Sequence, residues 1–410
     1  VRASIVAAGS LAGRGSGESP RLRLGRGLLV CQMALSLALV FAALLFVQSL
    51  RRLEHVDPGF DPRNLVLFRA DPLLNGYEPA RVLQYWRDGL DRIRRLPGVT
   101  YATITTHPLI ANSSSSSSTY VKAPDGTQRE VSVYRMSVGD DFFPTMGIPI
   151  RAGRAIETRD AGSGLFVAVI NETMAREVFG QAAPLGDRFR LSRRPGAPEY
   201  EVVGVAADAR YNTLRRRQPS IAYLSLAQAP SPGDITFYTR TAAGAADGAA
   251  LKEAMRQVDA TVPVFGLRTQ EEQIARYLAQ ERFFASLGTA LGAAALLLAC
   301  IGLYGLLSYA VTRRTPELGV RLALGASPRG VASSIVKESL VLAAVGAALG
   351  LPAAYGLGRA AESTLFGVAA TSPVLMAVAT IVLAAVSAGA AFLPARRASR
   401  VDPLVALRAE

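Results

Sequence analysis

The sequence predicts a membrane α-helical protein. It has four transmembrane helices in a 1+3 arrangement, with a large extracytoplasmic α/β domain inserted between helices 1 and 2. Three observations carry this expectation. Residues 27–50, 285–311, 339–358 and 373–395 contain no Lys, Arg, Asp or Glu, and each is long enough to cross a bilayer core of about 30 Å. Between the first two stretches lies a segment of mixed polarity, residues 51–284, sufficient for one sizeable domain or two small ones. The arginines are also shared unevenly among the connecting segments. Composition agrees: half of the 410 residues are hydrophobic, 19% are charged, and mean hydropathy is +0.25. A disordered chain is poorer in apolar residues, and a disulfide scaffold needs more than Cys31 and Cys300, which both fall in apolar stretches.

Taken in order, residues 1–26 form an N-terminal segment of net charge +4. The stretch 27–50 exceeds the apolar core of a signal peptide, and no small-x-small cleavage site follows it before Arg51 and Arg52, so it reads as a permanent anchor. Because the chain begins with Val1, it is expected to be a fragment or to use an alternative start codon. In the 51–284 segment, strands are predicted at 64–70, 99–106, 166–170, 200–205, 221–226 and 235–240. Val82, Trp86, Leu90 and Ile93 mark a helix after Pro79, stopped by Pro97 and Gly98. A second helix starts at Asp247 as N-cap and aligns Leu251, Met255 and Val258. This alternation argues for an α/β sandwich. The serine run 113–118 reads as an exposed loop, and 269–284 as an amphipathic stalk helix continuing into the second span.

Charge placement predicts orientation. The 312–338 loop carries +3 and the 396–410 tail +2, whereas 51–284 carries only +4 over its whole length and the 359–372 connection is neutral. The positive-inside rule therefore puts both termini and the 312–338 loop in the cytoplasm. The overall +13 is an orientation signal, and no nucleic-acid partner is expected.

No catalytic constellation stands out. His55 and His107 lie outside any metal-binding spacing, and Asp140–Asp141, followed by Phe142 and Phe143, resemble a capped helix start more than an acid/base pair. The chain lacks a G-x-x-x-x-G-K-[ST] phosphate loop, so a nucleotide would have to be bound by another polypeptide.

The most informative short segment runs from 312 to 329. Thr315 is a natural N-cap and Pro316 suits the first turn. Glu317 and Arg321 lie four apart in the favourable order, worth about 0.3–0.5 kcal/mol. Leu318 with Leu322, and Val320 with Leu324, form two apolar ridges, and Gly325 ends the helix. Ser327 and Pro328 then repeat the start signal. Such a helix is either a membrane-surface connector or a knob that a cytoplasmic partner can grip. In the third span Gly346, Gly350, Ala354 and Gly358 recur every four residues, as do Gly288 and Gly292 in the second. Small residues at that spacing let helices approach closely, within the chain or across a dimer seam. Pro352 is expected to bend the third span.

The hinge resembles the R-x-x-E-[IL]-G-[IV]-R-x-[AS]-[LI]-G-A signature of FtsX-like permease domains, here Arg314 to Ala326, within residues 285–410. The tail P-A-R-R-A-S-R-V-D-P-L-V-A-L-R, residues 394–408, is similar to the C-terminus of that family. F-F-P-T-M-G-I-P-I-R-A-G-R at 142–154, V-A-V-I-N-E-T-M-A-R at 167–176 and Y-E-V-V-G-V at 200–205 resemble the periplasmic core of MacB-like permeases. The arginine-rich opening resembles the C-terminal half of duplicated orphan permeases of acidobacterial type. The resemblance implies a four-span ABC permease of the inner membrane that binds no cofactor itself. It would work as a homodimer or beside a second permease half, with ATP bound by an ABC ATPase subunit and membrane lipid around the spans. A periplasmic adaptor and an outer-membrane channel are further partners it allows. The hinge would be the coupling helix, with Arg314, Glu317, Leu318, Gly319, Arg321 and Gly325 as coupling residues. Efflux or export is the implied function; lipoprotein release and non-transporting regulation of cell-wall hydrolases are the alternatives.

Overall fold

In the computed structural model, residues 20–112, 115–122, 128–162, 164–215, 219–228, 235–242 and 248–400 are described. The chain opens with α1 (Pro20–Glu54), followed by β1 (Leu65–Ala70), α2 (Pro79–Arg94), β2 (Val99–Thr105), β3 (Ser115–Lys122) and β4 (Gln128–Val138). Next come α3 (Phe142–Met146), β5 (Ile150–Gly153), β6 (Phe166–Asn171), α4 (Glu172–Phe179), β7 (Arg188–Arg190) and β8 (Glu199–Ala206). β9 (Ile221–Ser225), β10 (Ile235–Thr241), α5 (Gly248–Val258), β11 (Val264–Thr269) and α6 (Gln270–Tyr277) complete an α/β unit spanning residues 55–279. The second unit contains α1, α7 (Ala279–Arg313), α8 (Thr315–Ala323), α9 (Pro328–Ala361) and α10 (Pro373–Ala398).

Four of these helices, over Leu24–Glu54, Ala279–Arg313, Pro328–Thr364 and Pro373–Ala398, are long and apolar enough to cross a membrane. The 35 residues of α1 span about 52 Å at 1.5 Å per residue, more than a bilayer core requires. α1 is the hub of its unit: half of its most apolar window is buried, against 22–33% for the other three. Met33, Leu37, Phe41 and Leu45 are among its fully enclosed side chains. Where lipid is as apolar as the side chains, packing and hydrogen bonds hold helices together. Ser36 supplies such a bond, its Oγ donating to the Ala295 carbonyl of α7 at 3.0 Å. α9 runs through Pro352 without interruption.

The α/β unit has two parts. β11-β1-β10-β2 form an antiparallel sheet in that order, and β1-α2-β2 and β10-α5-β11 are the two split βαβ units of a ferredoxin-like layer. The sheet buries Phe68 and Phe237, stacked at 5.0 Å, against Trp86, Leu90 and Ile93 of α2 and Leu251 and Met255 of α5. Between β2 and β10 the chain inserts a closed ring of six strands, β4-β3-β7-β8-β6-β9, returning to β4, with β5 added alongside β8. Val133, Ile170, Phe189, Val202 and Leu224 fill it beneath Met174 and Val178 of α4.

Several sequence expectations need correction. Serines 115–118 belong to β3, paired residue by residue with β4, so the serine run is largely strand; 113 and 114 lie outside the described residues. Their loop-like composition is overridden by ladder bonds to β4, and the same strand pairs with β7 at Tyr120 and Val121. Asp141 precedes α3 in the left-handed conformation, φ 58°, and makes no side-chain cap. Asp140 and Asp141 instead grip the Arg94 guanidinium at 3.1 and 3.0 Å. Asp247, expected to cap α5, is outside the described residues. The stalk is two helices: Thr269 and Glu272 form a capping box on α6, which ends at Tyr277, and α7 starts at Ala279. The α/β sandwich holds only for the ferredoxin-like layer, and the inserted ring was not foreseen.

Candidate functional site

The site begins with α8, whose local chemistry closes both ends. Thr315 is not the N-cap. Arg314 occupies that position, and the Thr315 hydroxyl donates back to the Val311 carbonyl at 3.0 Å, which ties the hinge to the end of α7. At the other end, Gly325 at φ +94° gives its N–H to Leu322, and Ala326 gives its N–H to Arg321. These two bonds form a Schellman stop, which needs a residue at ease with positive φ. Ser327 Oγ then accepts from Gly330 N at 3.1 Å to start α9.

The two ridges of α8 have different fates. Leu318 and Gly319 are buried, and Leu318 joins a core with Val331, Ile335 and Ala395, while Leu322 packs at its edge. The opposite ridge is bare: Val320 is 42% and Leu324 83% exposed, with Glu317 and Arg321 exposed on the same side. No ion pair joins Glu317 to Arg321 among the described residues. The helix is thus anchored by one face and presents the other. Of the expected coupling residues, Glu317 and Arg321 lie on the presented face, Leu318 and Gly319 form the anchor, and Gly325 is the stop.

Arg314 points to a residue that sequence reasoning missed. Its guanidinium lies 3.6 Å from a Glu338 carboxylate oxygen on α9, and the other oxygen of Glu338 accepts a hydrogen bond from Arg26 of α1. One carboxylate therefore connects the start of α8 to α1 and α9. The available signal was Glu338 itself, an acid beside Lys337 at the edge of the third apolar stretch. Val320 and Leu324 were legible as a ridge, but which ridge faces out is settled by packing. A cavity of about 190 Å³ lies at the foot of the hinge, lined by Ser308, Val311, Thr312, Thr315, Pro394 and Arg397.

The small-residue positions meet their own chain. A Cβ on Gly346 would lie 2.6 Å from Met33 Cβ, and one on Gly350 would lie 2.8 Å from the Ala34 carbonyl oxygen, both on α1. Gly288 and Gly292 face Ala43 and Val40 of α1, and Gly358 abuts the Ala370 carbonyl. All five are occupied by packing within the unit.

Comparison with known proteins extends the same pattern. The profile of the MacB-like periplasmic core domain matches residues 27–261, more than half of the chain. That of the FtsX-like permease C-terminal matches residues 289–403. The chain belongs to the MacB/FtsX-like ABC permeases. This permease is a multi-pass membrane protein with α8 inside its FtsX-like part. It is 28% identical over 280 residues to the macrolide export ATP-binding/permease protein MacB of Azoarcus sp. (strain BH72), covering 64% of this chain and 40% of that protein. It is 26% identical over 283 residues to the uncharacterized ABC transporter permease YknZ of Bacillus subtilis (strain 168), covering 67% and 69%. The permease therefore spans less than half the length of the MacB relative. The crystal structure of the periplasmic region of MacB from Actinobacillus actinomycetemcomitans is similar over 54% of this chain and 95% of that one, at 16% identity and a TM-score of 0.36.

Proposed function

We propose that this permease relays ATP-driven motion of a separate ABC ATPase, gripped at α8, to the α/β domain, and that the relay serves export. The observation that carries the reading is the bare Val320–Leu324 ridge on a helix that Leu318 pins to the span core. An exposed apolar ridge flanked by Glu317 and Arg321 suits a protein partner, because apolar anchors within a polar rim are how such interfaces gain affinity. Arg314 and Glu338 give displacement of α8 a route to α1 and α9, the helices at the centre of the unit.

The basic flanks of the spans support a cytoplasmic α8 and cytoplasmic termini, with the α/β domain on the other side. The names of the MacB relative and of the pyoverdine export ATP-binding/permease protein PvdT of Pseudomonas syringae support export over the other activities open to FtsX-like proteins. Both names pair an ATP-binding function with a permease, which supports an ATPase partner here. A second permease copy or half completes the assembly in this reading.

The test is co-purification of the ATPase with the full chain. Leu324→Asp places a charge on the presented ridge without touching the core. It is expected to reduce ATPase recovery at least about tenfold, a loss of about 1.4 kcal/mol, while the thermal stability of the permease is unchanged. Unaltered recovery and unaltered ATP turnover would overturn the assignment. Leu318→Asp is the wrong probe, since it attacks the anchor itself.

A further inference from the structure

The cavity of about 190 Å³ at the foot of the hinge has a position and a chemistry that the coupling role of α8 does not use. α7 contributes Ser308, Val311 and Thr312, α8 contributes Thr315, and the end of α10 contributes Pro394 and Arg397. Thr312 directly follows the charge-free stretch 285–311, and Arg397 lies two residues past the stretch 373–395. Two helices therefore place the cavity at one depth, where a bilayer changes from acyl chains to headgroups. Its volume is below the ~300–1,000 Å³ of drug-sized sites, which suits a headgroup whose chains stay in the bilayer.

Among the described residues, Arg397 is the only charged one lining the cavity, and it is exposed. Its guanidinium carbon lies 6.0 Å from the centre of the Tyr304 ring on α7. Beyond that ring, the side chain has no acidic or hydrogen-bonding partner among the described residues. The lining thus carries a single positive charge with unspent N–H donors. A phosphodiester matches both, with one negative charge and two oxygens for the guanidinium fork. Of the acids at this end, Glu338 holds Arg26 and Arg314, and Glu317 does not line the cavity.

The hydroxyls select further. Thr312 donates to the Ser308 carbonyl and Thr315 to the Val311 carbonyl, each at 3.0 Å. With those protons spent, the two oxygens are left as acceptors for a hydroxyl that the ligand donates. A glycerol headgroup has such a hydroxyl, and choline has none.

We infer that this cavity holds the headgroup of an anionic phospholipid, with its phosphate at Arg397 and a headgroup hydroxyl at Thr312 and Thr315. A basic pocket between membrane helices is the kind of site that recognises such lipids. Lipid is favoured over free phosphate because Val311 and Pro394 give the cavity an apolar wall at the end of two charge-free stretches. The site is separate from the presented ridge of α8 and does not depend on an ATPase partner.

The probe is dioleoyl phosphatidylglycerol, added to the full-length permease in dodecyl maltoside and counted on the intact protein by native mass spectrometry. Saturable binding of a single tight lipid is expected, and neither dioleoyl phosphatidylcholine nor inorganic phosphate at the same concentration should displace it. Arg397→Gln should raise the midpoint at least about tenfold. Arg329→Gln removes an exposed cation of the same basic loop that does not line the cavity, and should leave the midpoint unchanged. Thermal unfolding verifies that both variants are folded. Displacement by inorganic phosphate would assign the cavity to a free anion and overturn the lipid site, and equal binding of phosphatidylcholine would overturn it too. So would a folded Arg397→Gln that binds as before, or equal losses in the two variants. The comparison of ligands uses the unaltered chain, so it decides the matter even where a variant fails to fold.

Discussion

Asp160 is the one acidic or basic residue among the described ones that is almost lost from solvent, at 3% exposure. Both of its carboxylate oxygens accept from the Arg154 guanidinium at 2.8 Å, and Oδ2 also accepts from the Glu157 N–H at 2.9 Å. Burial alone would raise its pKa. The Arg154 hydrogen bonds, the Glu157 N–H and the nearby positive charge outweigh that and hold the carboxyl below its ordinary value of 3.8. A depressed folded-state pKa contributes stability that is complete above the unfolded value and is lost as pH falls through the folded one. Asp160→Asn is therefore expected to destabilise the α/β domain by about 2 kcal/mol near pH 7, the scale of a charged hydrogen bond. Thermal unfolding followed from pH 7 downward should show the deficit begin to close near pH 3.8 and vanish as pH falls through the lower folded-state value, where the native carboxyl becomes protonated. A deficit independent of pH would mean that shape, not charge, holds this corner. The bidentate partner was not legible in the sequence, because a six-residue spacing through an irregular segment announces no contact. Glu338 shows the same limit: its partners Arg26 and Arg314 lie on other helices.

At the scale of elements, α9 shows how little room the packing of the spans leaves. A side chain at Gly350 would meet the Ala34 carbonyl oxygen at 2.8 Å and Leu37 Cδ2 at 3.0 Å, whereas Gly356, six residues on, has nothing within 4 Å. Gly350→Val is expected to force α9 off α1 and lower the thermal unfolding midpoint of the detergent-solubilised permease by several degrees, a cost of about 1–3 kcal/mol for overpacking. Gly356→Ala should leave the midpoint unchanged. Equal effects of the two substitutions would show that the close approach of α1 and α9 is not what stabilises the unit. Long periodic or uninterrupted apolar runs made α1, α2, α7 and α10 easy to read, because one face or the whole helix must be apolar. β3 escaped because its serines carry no strand signal of their own; the ladder to β4 imposes the strand. In α8 the two ridges and the glycine stop were legible. The inward choice of Leu318 over Val320 was not, since it depends on Val331 and Ala395 far along the chain.

For the whole molecule, the 1+3 order of spans and the α/β character of the segment between them follow from composition and charge placement, which are local sums. The ferredoxin-like layer is not a local property. β2 and β10 pair across the insertion formed by residues 106–234, and nothing in either strand names the other. The same division applies to the function. Membership of the MacB/FtsX-like permeases rests on both halves of the chain, while the coupling claim rests on one face of one short helix. That face can be interrogated in place. A photoreactive residue at position 324, in the full-length permease in its native membrane, reaches only what touches the presented ridge of α8. Mass spectrometry of the cross-linked product should identify an ABC ATPase. A product containing only lipid, or only another membrane protein, would contradict the account.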